Sequence, residues 1–153
     1  MRAVIQRVSS SKVIADGTLS GSIGQGLMIL LGVMKGDEKV DAELLAAKIA
    51  KLRIFSDENG KMNKSLIDVN GSALVVSNFT LGANYAHGNR PDFLNSEAPD
   101  RANDLYEYFI SLLKKDIPIV ESGVFGAHMD LTIEANGPIT IVMESDVLKR
   151  KGK

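Results

Sequence analysis

The chain has 153 residues, 44% of them hydrophobic and 24% charged, with 18 basic and 19 acidic side chains and a formal net charge of −1. That suits one compact, well-cored domain rather than a disordered chain, and it argues against broad, nonspecific binding to nucleic acid while leaving room for a local basic patch. Cysteine is absent, which excludes disulfides, zinc–thiolate sites and cysteine nucleophiles and fits a reducing cytosol.

The N-terminus alternates apolar and polar residues. Val4, Gln6 and Val8 alternate with Ala3, Ile5 and Arg7, which predicts a first strand rather than the continuous apolar stretch of a signal peptide. Asp16-Gly17 predicts a hairpin turn into a strand over 18–23. Residues 27–33 form an apolar run, expected as a buried strand. A first helix is expected over 41–51, with Leu45, Ile49 and Leu52 as its buried stripe. Asn59-Gly60 marks another turn. Residues 73–76 read as a buried strand. Pro99 suits the first turn of a second helix, where Leu105, Tyr108, Phe109 and Leu112 make the apolar face. Met129, Leu131 and Ile133 alternate with polar neighbours, as in a half-buried strand. Asn136-Gly137 predicts a turn, with Pro138 opening a last strand over 139–143. No apolar run is long enough to span a bilayer. The pattern predicts an α+β fold with a mostly antiparallel, curved or barrel-like sheet and two main helices. It divides into a single domain over 1–145 and a basic tail over 146–153, whose end, Lys149-Arg150-Lys151-Gly152-Lys153, reads as a solvated, disordered terminus, with contact to RNA as the other reading.

Chemistry-bearing motifs are scarce. His87 and His128 are the only histidines, and no spacing makes them metal ligands. They read as surface or pocket-edge residues. Gly21, Gly24 and Gly26 form neither a dinucleotide fingerprint nor a P-loop. Asp57-Glu58-Asn59-Gly60 lacks the closing glutamate of a calcium loop. Two nearly chargeless segments, Ser77-Asn78-Phe79-Thr80-Leu81 and Gly137-Pro138-Ile139-Thr140, sit between strand-like runs. Ser77 and Thr80 carry hydroxyls, yet neither segment supplies the positioned base that a nucleophile needs. The residues alone leave two readings open: hydrogen bonding in strand-end turns, or a site that works through backbone groups and hydroxyls.

These two segments resemble the signature segments of the D-aminoacyl-tRNA deacylase family, Ser-Gln-Phe-Thr-Leu and Gly-Pro-Val-Thr. The similarity extends to Met1-Arg2-Ala3-Val4-Ile5-Gln6-Arg7-Val8, Leu52-Arg53-Ile54-Phe55, Gly88-Asn89-Arg90-Pro91 and Gly123-Val124-Phe125-Gly126-Ala127. It runs from Met1 to about Met143 in one register. Asn78 departs from the family's glutamine and is one methylene shorter.

The resemblance implies hydrolysis of the ester that joins a D-amino acid to the terminal ribose of tRNA, with leakage toward glycyl-tRNA. It implies a loop of Ser77, Phe79 and Thr80 at the reaction centre, with backbone N–H groups as oxyanion donors. Gly137 and Pro138 would form a cis turn whose carbonyls read the ammonium group, so that chirality is selected by backbone. Asn78, Phe125 and Met129 would line the substrate pocket, Phe125 near the terminal adenine. Arg7 would brace the Gly-Pro turn across a subunit interface; an exposed strand arginine remains the plainer reading. The ribose hydroxyl of the RNA would assist the chemistry. The implied partners are aminoacyl-tRNA and a second copy in a homodimer, with no cofactor, metal, membrane or DNA, in the cytoplasm. Lys48, Lys51, Arg53, Lys61, Lys64 and Arg90 are candidates for phosphate contacts, although their spacing defines no face. Two alternatives stay open: a noncatalytic RNA-binding dimer of the same fold, and a related editing deacylase with different chirality selection.

Overall fold

A computed structural model describes residues 1–152; Lys153, at the end of the basic tail, lies outside the described residues. The central strand is β1 (Arg2–Ala15). One of its edges pairs antiparallel with β8 (Met129–Glu144) from end to end. Its other edge is shared between two strands that follow it. Residues 11–15 pair with β2 (Thr18–Ile23), and residues 2–8 pair with β3 (Gly26–Gly32). The β1–β2 hairpin closes at Asp16 and Gly17, both at positive φ (47° and 83°), the conformation that an Asp-Gly pair favours in tight hairpins.

The sheet continues with β6 (Ser72–Ser77) parallel to β3, and β7 (Val120–Ser122) parallel to β6. The Ser20 hydroxyl donates to the Ser122 carbonyl at 2.8 Å, which draws β2 toward β7. The result is an α+β fold with a nearly closed, barrel-like sheet. A small hairpin, β4 (Phe55–Ser56) and β5 (Met62–Lys64), stands apart from it.

β3 and β6 read as continuous apolar runs because both of their faces are buried. Leu27, Ile29, Leu31, Ala73 and Val75 pack into one cluster with helices α1 (Lys39–Lys51) and α2 (Pro99–Leu113). Met28, Leu74 and Val76 pack on the opposite face with Val8, Val13 and Ile23. In α1, Leu45 and Ile49 are fully buried, as the stripe predicts, and Leu52 caps the helix half-buried.

Helix α2 starts at Pro99 as expected, but its apolar face is rotated from the predicted one. Leu105 and Phe109 are buried; Tyr108 and Leu112 are only half-buried, and Tyr106, Ile110 and Leu113 take the core instead. The phenols explain the rotation. The Tyr106 hydroxyl finds the Val75 carbonyl at 2.9 Å inside the core. Tyr108 meets the exposed Glu43 carboxylate at 2.6 Å. Burial pushes the Tyr106 phenol far above its usual range, so it stays a neutral donor.

Two further expectations are corrected. The chain does not reverse at Asn136-Gly137: β8 is one strand, and both halves pair with β1. Gln6 faces Thr140 and Val8 faces Ala135, so residues 136–139 have only Arg7 opposite them and stand out as a wide bulge. The glycine at φ +129° and the proline without an N–H are accommodated there rather than in a hairpin. The Gly137–Pro138 peptide is cis. The second correction concerns the tail, whose residues 149–151 are exposed as expected but ordered in helical turns. Helix α3 (Ser145–Lys149) follows β8 and docks, with Lys149 Nζ 2.6 Å from Asp41 Oδ1.

That contact belongs to a buried polar network. Asp41 is wholly buried and accepts from the Ser145 hydroxyl at 2.5 Å and the Glu38 N–H at 2.8 Å. The Met1 ammonium donates to Asp37 at 2.6 Å and to the Ser145 hydroxyl at 2.8 Å. Burial alone would raise the Asp41 pKa. Hydrogen bonds from Lys149, Ser145 and Glu38 outweigh it and hold the carboxyl below its reference value of 3.8. A depressed folded pKa gives stability that is complete above the unfolded value and fades as pH falls through the folded one. Asp41→Asn is therefore expected to cost about 1–3 kcal/mol at pH 7, the range for leaving buried donors unmatched. Urea unfolding at pH 7 and at pH 3 checks this: the deficit of the variant should shrink at the lower pH.

Candidate active site

A cleft of about 650 Å³ opens at the carboxyl ends of the parallel strands β3 and β6, where α/β sheets commonly place ligand sites. Its floor is apolar, built from Leu30, Leu31, Val33, Val76 and Leu131. Five of the predicted residues line it: Ser77, Asn78, Phe79, Phe125 and Met129. Thr80, Arg7, Gly137 and Pro138 do not.

The 77–82 segment is shaped by a side-chain cap. β6 ends at Ser77, and the Asn78 N–H donates to the Leu31 carbonyl at 2.8 Å. The Asn78 carboxamide oxygen then accepts the Thr80 N–H at 3.2 Å and also the Thr80 hydroxyl. This is an Asx-type cap on the short 3₁₀ turn Phe79–Gly82. The turn sits tightly on β3: a Cβ at Gly32 would lie 2.9 Å from Leu81 Cβ and 3.0 Å from the Asn78 carbonyl oxygen. The Ser96 hydroxyl fixes the Phe79 carbonyl at 2.6 Å.

This hydrogen-bond pattern selects one donor. The amides of Asn78, Thr80 and Leu81 are all satisfied internally, whereas the Phe79 N–H has no acceptor among the described residues. The Thr80 hydroxyl is committed to Asn78, which does not suit it to nucleophilic attack. The Phe79 ring stands 61% exposed at the cleft, edge-on to Phe93 with centroids 5.1 Å apart. Across the cleft, the Phe125 ring lies 6.0 Å from Tyr106, whose hydroxyl is anchored on β6.

The ionisable groups in the cleft do not form acid–base machinery. His128 lies at its edge, with Nε2 3.5 Å from Asp130 Oδ1 and both side chains largely exposed. Glu97, which sequence reasoning missed, is held by Arg101 Nε at 3.3 Å and by the Ala98 N–H at 2.8 Å. Phe93, Ser96 and Tyr106 were also missed, because only the fold brings them to residues 77–79. Among the described residues no group of three or more His, Asp or Glu side chains could hold a metal ion.

The Gly137–Pro138 bulge is exposed and lies outside this cleft. Arg7 braces it from its own chain: Nε donates to the Asn136 carbonyl at 3.2 Å and Nη1 to the Ile54 carbonyl at 2.9 Å. The contact follows from register, since Arg7 is the β1 residue opposite the bulge.

Comparison with known proteins decides the family. A family model described as D-Tyr-tRNA(Tyr) deacylase matches residues 4–144. The chain belongs to this family. It is 53% identical over 148 residues to the D-aminoacyl-tRNA deacylase of Persephonella marina, covering 97% of this chain and 100% of that one. It is 52% identical over 149 residues to the D-aminoacyl-tRNA deacylase of Thermomicrobium roseum, with 97% of each covered. A solved structure of a c-Myc DNA unwinding element binding protein superposes with a TM-score of 0.89 at 37% identity, covering 94% of this chain and 98% of that one.

In this member of the deacylase family, Asn78 both caps the turn and orients Thr80. Asn78→Ala removes the shared acceptor and should cost about 0.5–2 kcal/mol, as loss of an N-cap does. Thermal unfolding reads the loss of stability. Restoration of the wild-type midpoint by the alanine variant would show that the cap contributes nothing.

Proposed function

We propose that the protein hydrolyses the ester of D-aminoacyl-tRNA, releasing the free D-amino acid and tRNA. The observation that carries this reading is the Phe79 N–H, the one amide of the 78–81 turn left without an acceptor, in a segment that lines an apolar cleft. An aminoacyl ester is already activated, so positioning and oxyanion stabilisation suffice. The Phe79 amide is the oxyanion donor, and the ring of Phe79 and its neighbour Ser77 shape the reaction centre. Thr80 acts by positioning. The ribose hydroxyl beside the ester supplies the proton handling that the cleft lacks. Phe125 and Met129 hold the terminal adenine against the apolar wall.

Selection by chirality comes from the Gly137–Pro138 bulge. Its carbonyl oxygens receive the substrate ammonium, and an L side chain collides with the bulge while a D side chain points away. Glycine has nothing to collide, so glycyl-tRNA is also cleaved. The bulge lies outside its own chain's cleft and is exposed, which supports a homodimer in which each bulge completes the partner's cleft. A two-fold dimer does this twice, through one self-complementary surface. Such a reaction belongs in the cytoplasm, where tRNA is charged. No described helix is long and apolar enough to cross a membrane.

The likeness to a DNA unwinding element binding protein favours one other reading, a nucleic-acid-binding dimer without catalysis. Purified protein with matched D- and L-tyrosyl-tRNA separates the readings. Release of D-tyrosine with L-tyrosyl-tRNA spared is the expected outcome. Binding without release supports the module, and comparable release of both supports an editing deacylase of different selectivity. Thr80→Ala should reduce kcat by less than about 100-fold, against the roughly million-fold loss when a triad nucleophile is removed. A trapped aminoacyl ester on Thr80 or Ser77 would overturn the positioning role.

A further inference from the structure

Three of the six candidate phosphate-binding cations, close together in sequence, are joined in the fold by a fourth from the basic tail. Lys48, Lys51 and Arg53 line a second, shallow depression with Lys151. Its floor is apolar, from Leu44, Leu52, Ile54, Ile141 and Leu148, and no acidic side chain lines it. All four cations are exposed, and none forms an ion pair among the described residues. By contrast, Lys64 is held by Glu58 and Lys149 by Asp41, and Lys61 and Arg90 lie elsewhere. In a chain of net charge −1, a cluster of cations without direct ion pairs among the described residues is a local feature. Lys48 and Lys51 also complement the carboxyl end of α1, and Arg53 Nε donates to the Asn63 carbonyl at 3.0 Å, but Lys151 has no such partner among the described residues.

The shelf is tied to the active machinery by one arginine. Arg7 donates both to the Ile54 carbonyl, in the shelf wall, and to the Asn136 carbonyl, at the base of the Gly137–Pro138 bulge. We propose that this shelf holds the phosphate backbone of the tRNA acceptor arm. Resting on the deacylase reading, the bulge beside it completes the partner's cleft. One protomer therefore grips the arm of the RNA whose terminal ester sits in the other's cleft. The contacts are to phosphate, so they add affinity and orientation without sequence preference.

The test uses the full chain, an uncharged tRNA acceptor minihelix and two D-tyrosyl esters, one on tRNA and one on adenosine alone. The variant is Lys48→Ala/Lys51→Ala/Lys151→Ala, with Lys48→Arg/Lys51→Arg/Lys151→Arg as the charge-preserving control. The alanine variant should bind the minihelix roughly 10- to 100-fold more weakly, with a salt slope shallower by about 2–3 contacts. Its KM for D-tyrosyl-tRNA should rise with kcat unchanged, and cleavage of D-tyrosyl-adenosine should match wild type. The arginine variant should behave as wild type throughout. Unchanged minihelix affinity and slope would overturn the proposal, as would an equal loss on the adenosine ester or a change in oligomeric state alone. Wild-type protein that grips the minihelix with the expected slope yet releases no D-tyrosine from either ester refutes the deacylase reading and supports the shelf.

Discussion

Both edges of β1 are hydrogen-bonded along nearly its whole length, and the rest of the molecule is arranged around that fact. β8 occupies one edge, and β2 and β3 share the other. A central strand tolerates few irregularities, because a shift of one residue moves every side chain to the opposite face. β1 itself carries one extra residue, Ser9, between Val8 and Ser10, and the larger irregularity falls on β8, the outer partner. Residues 136–139 leave the ladder opposite Arg7, and pairing resumes at Ala135. Arg7 then supplies two donors to the displaced backbone. The irregularity on an edge strand thus becomes an exposed bulge braced by Arg7.

The cleft follows from the opposite end of the same sheet. β3 and β6 run parallel and are buried on both faces, so their carboxyl ends open into a space walled by apolar side chains. The Asn78 cap turns the chain sharply as it leaves β6. It consumes the donors of Thr80, leaving the Phe79 amide free. Fold and site are therefore linked through backbone groups more than through ionisable side chains, and the sparse charge around the cleft is what such chemistry requires. Bulge and cleft occupy separate parts of one chain, which is the observation from which the proposed shared site starts.

Much of this was legible in the residues. Asp16-Gly17 marked the hairpin, Pro99 marked the start of α2, and the apolar runs at 27–33 and 73–76 marked the doubly buried strands. The segments at 77–81 and 137–140 were singled out by their lack of charge and their resemblance to a family. The failures share a cause. Gly137-Pro138 carries the same local chemistry in a bulge as in a turn, and only the pairing of both flanks with β1 decides between them. Tyr106 and Tyr108 differ little in propensity; the position of the Val75 carbonyl and of Glu43 separates them. The docking of α3 depended on Asp41, more than a hundred residues away in sequence. Spacing did not separate Lys48, Lys51 and Arg53 from Lys61, Lys64 and Arg90, because the face they share with Lys151 is made by a helix end, the loop after it and the 3₁₀ turn that follows α3.

The central claim is that the cleft of one chain works with the bulge of another. Two variants isolate the halves. Phe79→Pro removes the free N–H at the first position of a 3₁₀ turn, where proline is tolerated and where Asn78 already has an extended backbone. Gly137→Val places a Cβ 2.8 Å from the Ile139 nitrogen at φ +129° and displaces the bulge. Each variant alone should fail to deacylate D-tyrosyl-tRNA. Equal amounts, mixed and allowed to exchange subunits, should recover about a quarter of wild-type activity, since half of the dimers are mixed and each has one intact site of two. A mixture as inactive as its components, despite proven subunit exchange, would contradict the shared site.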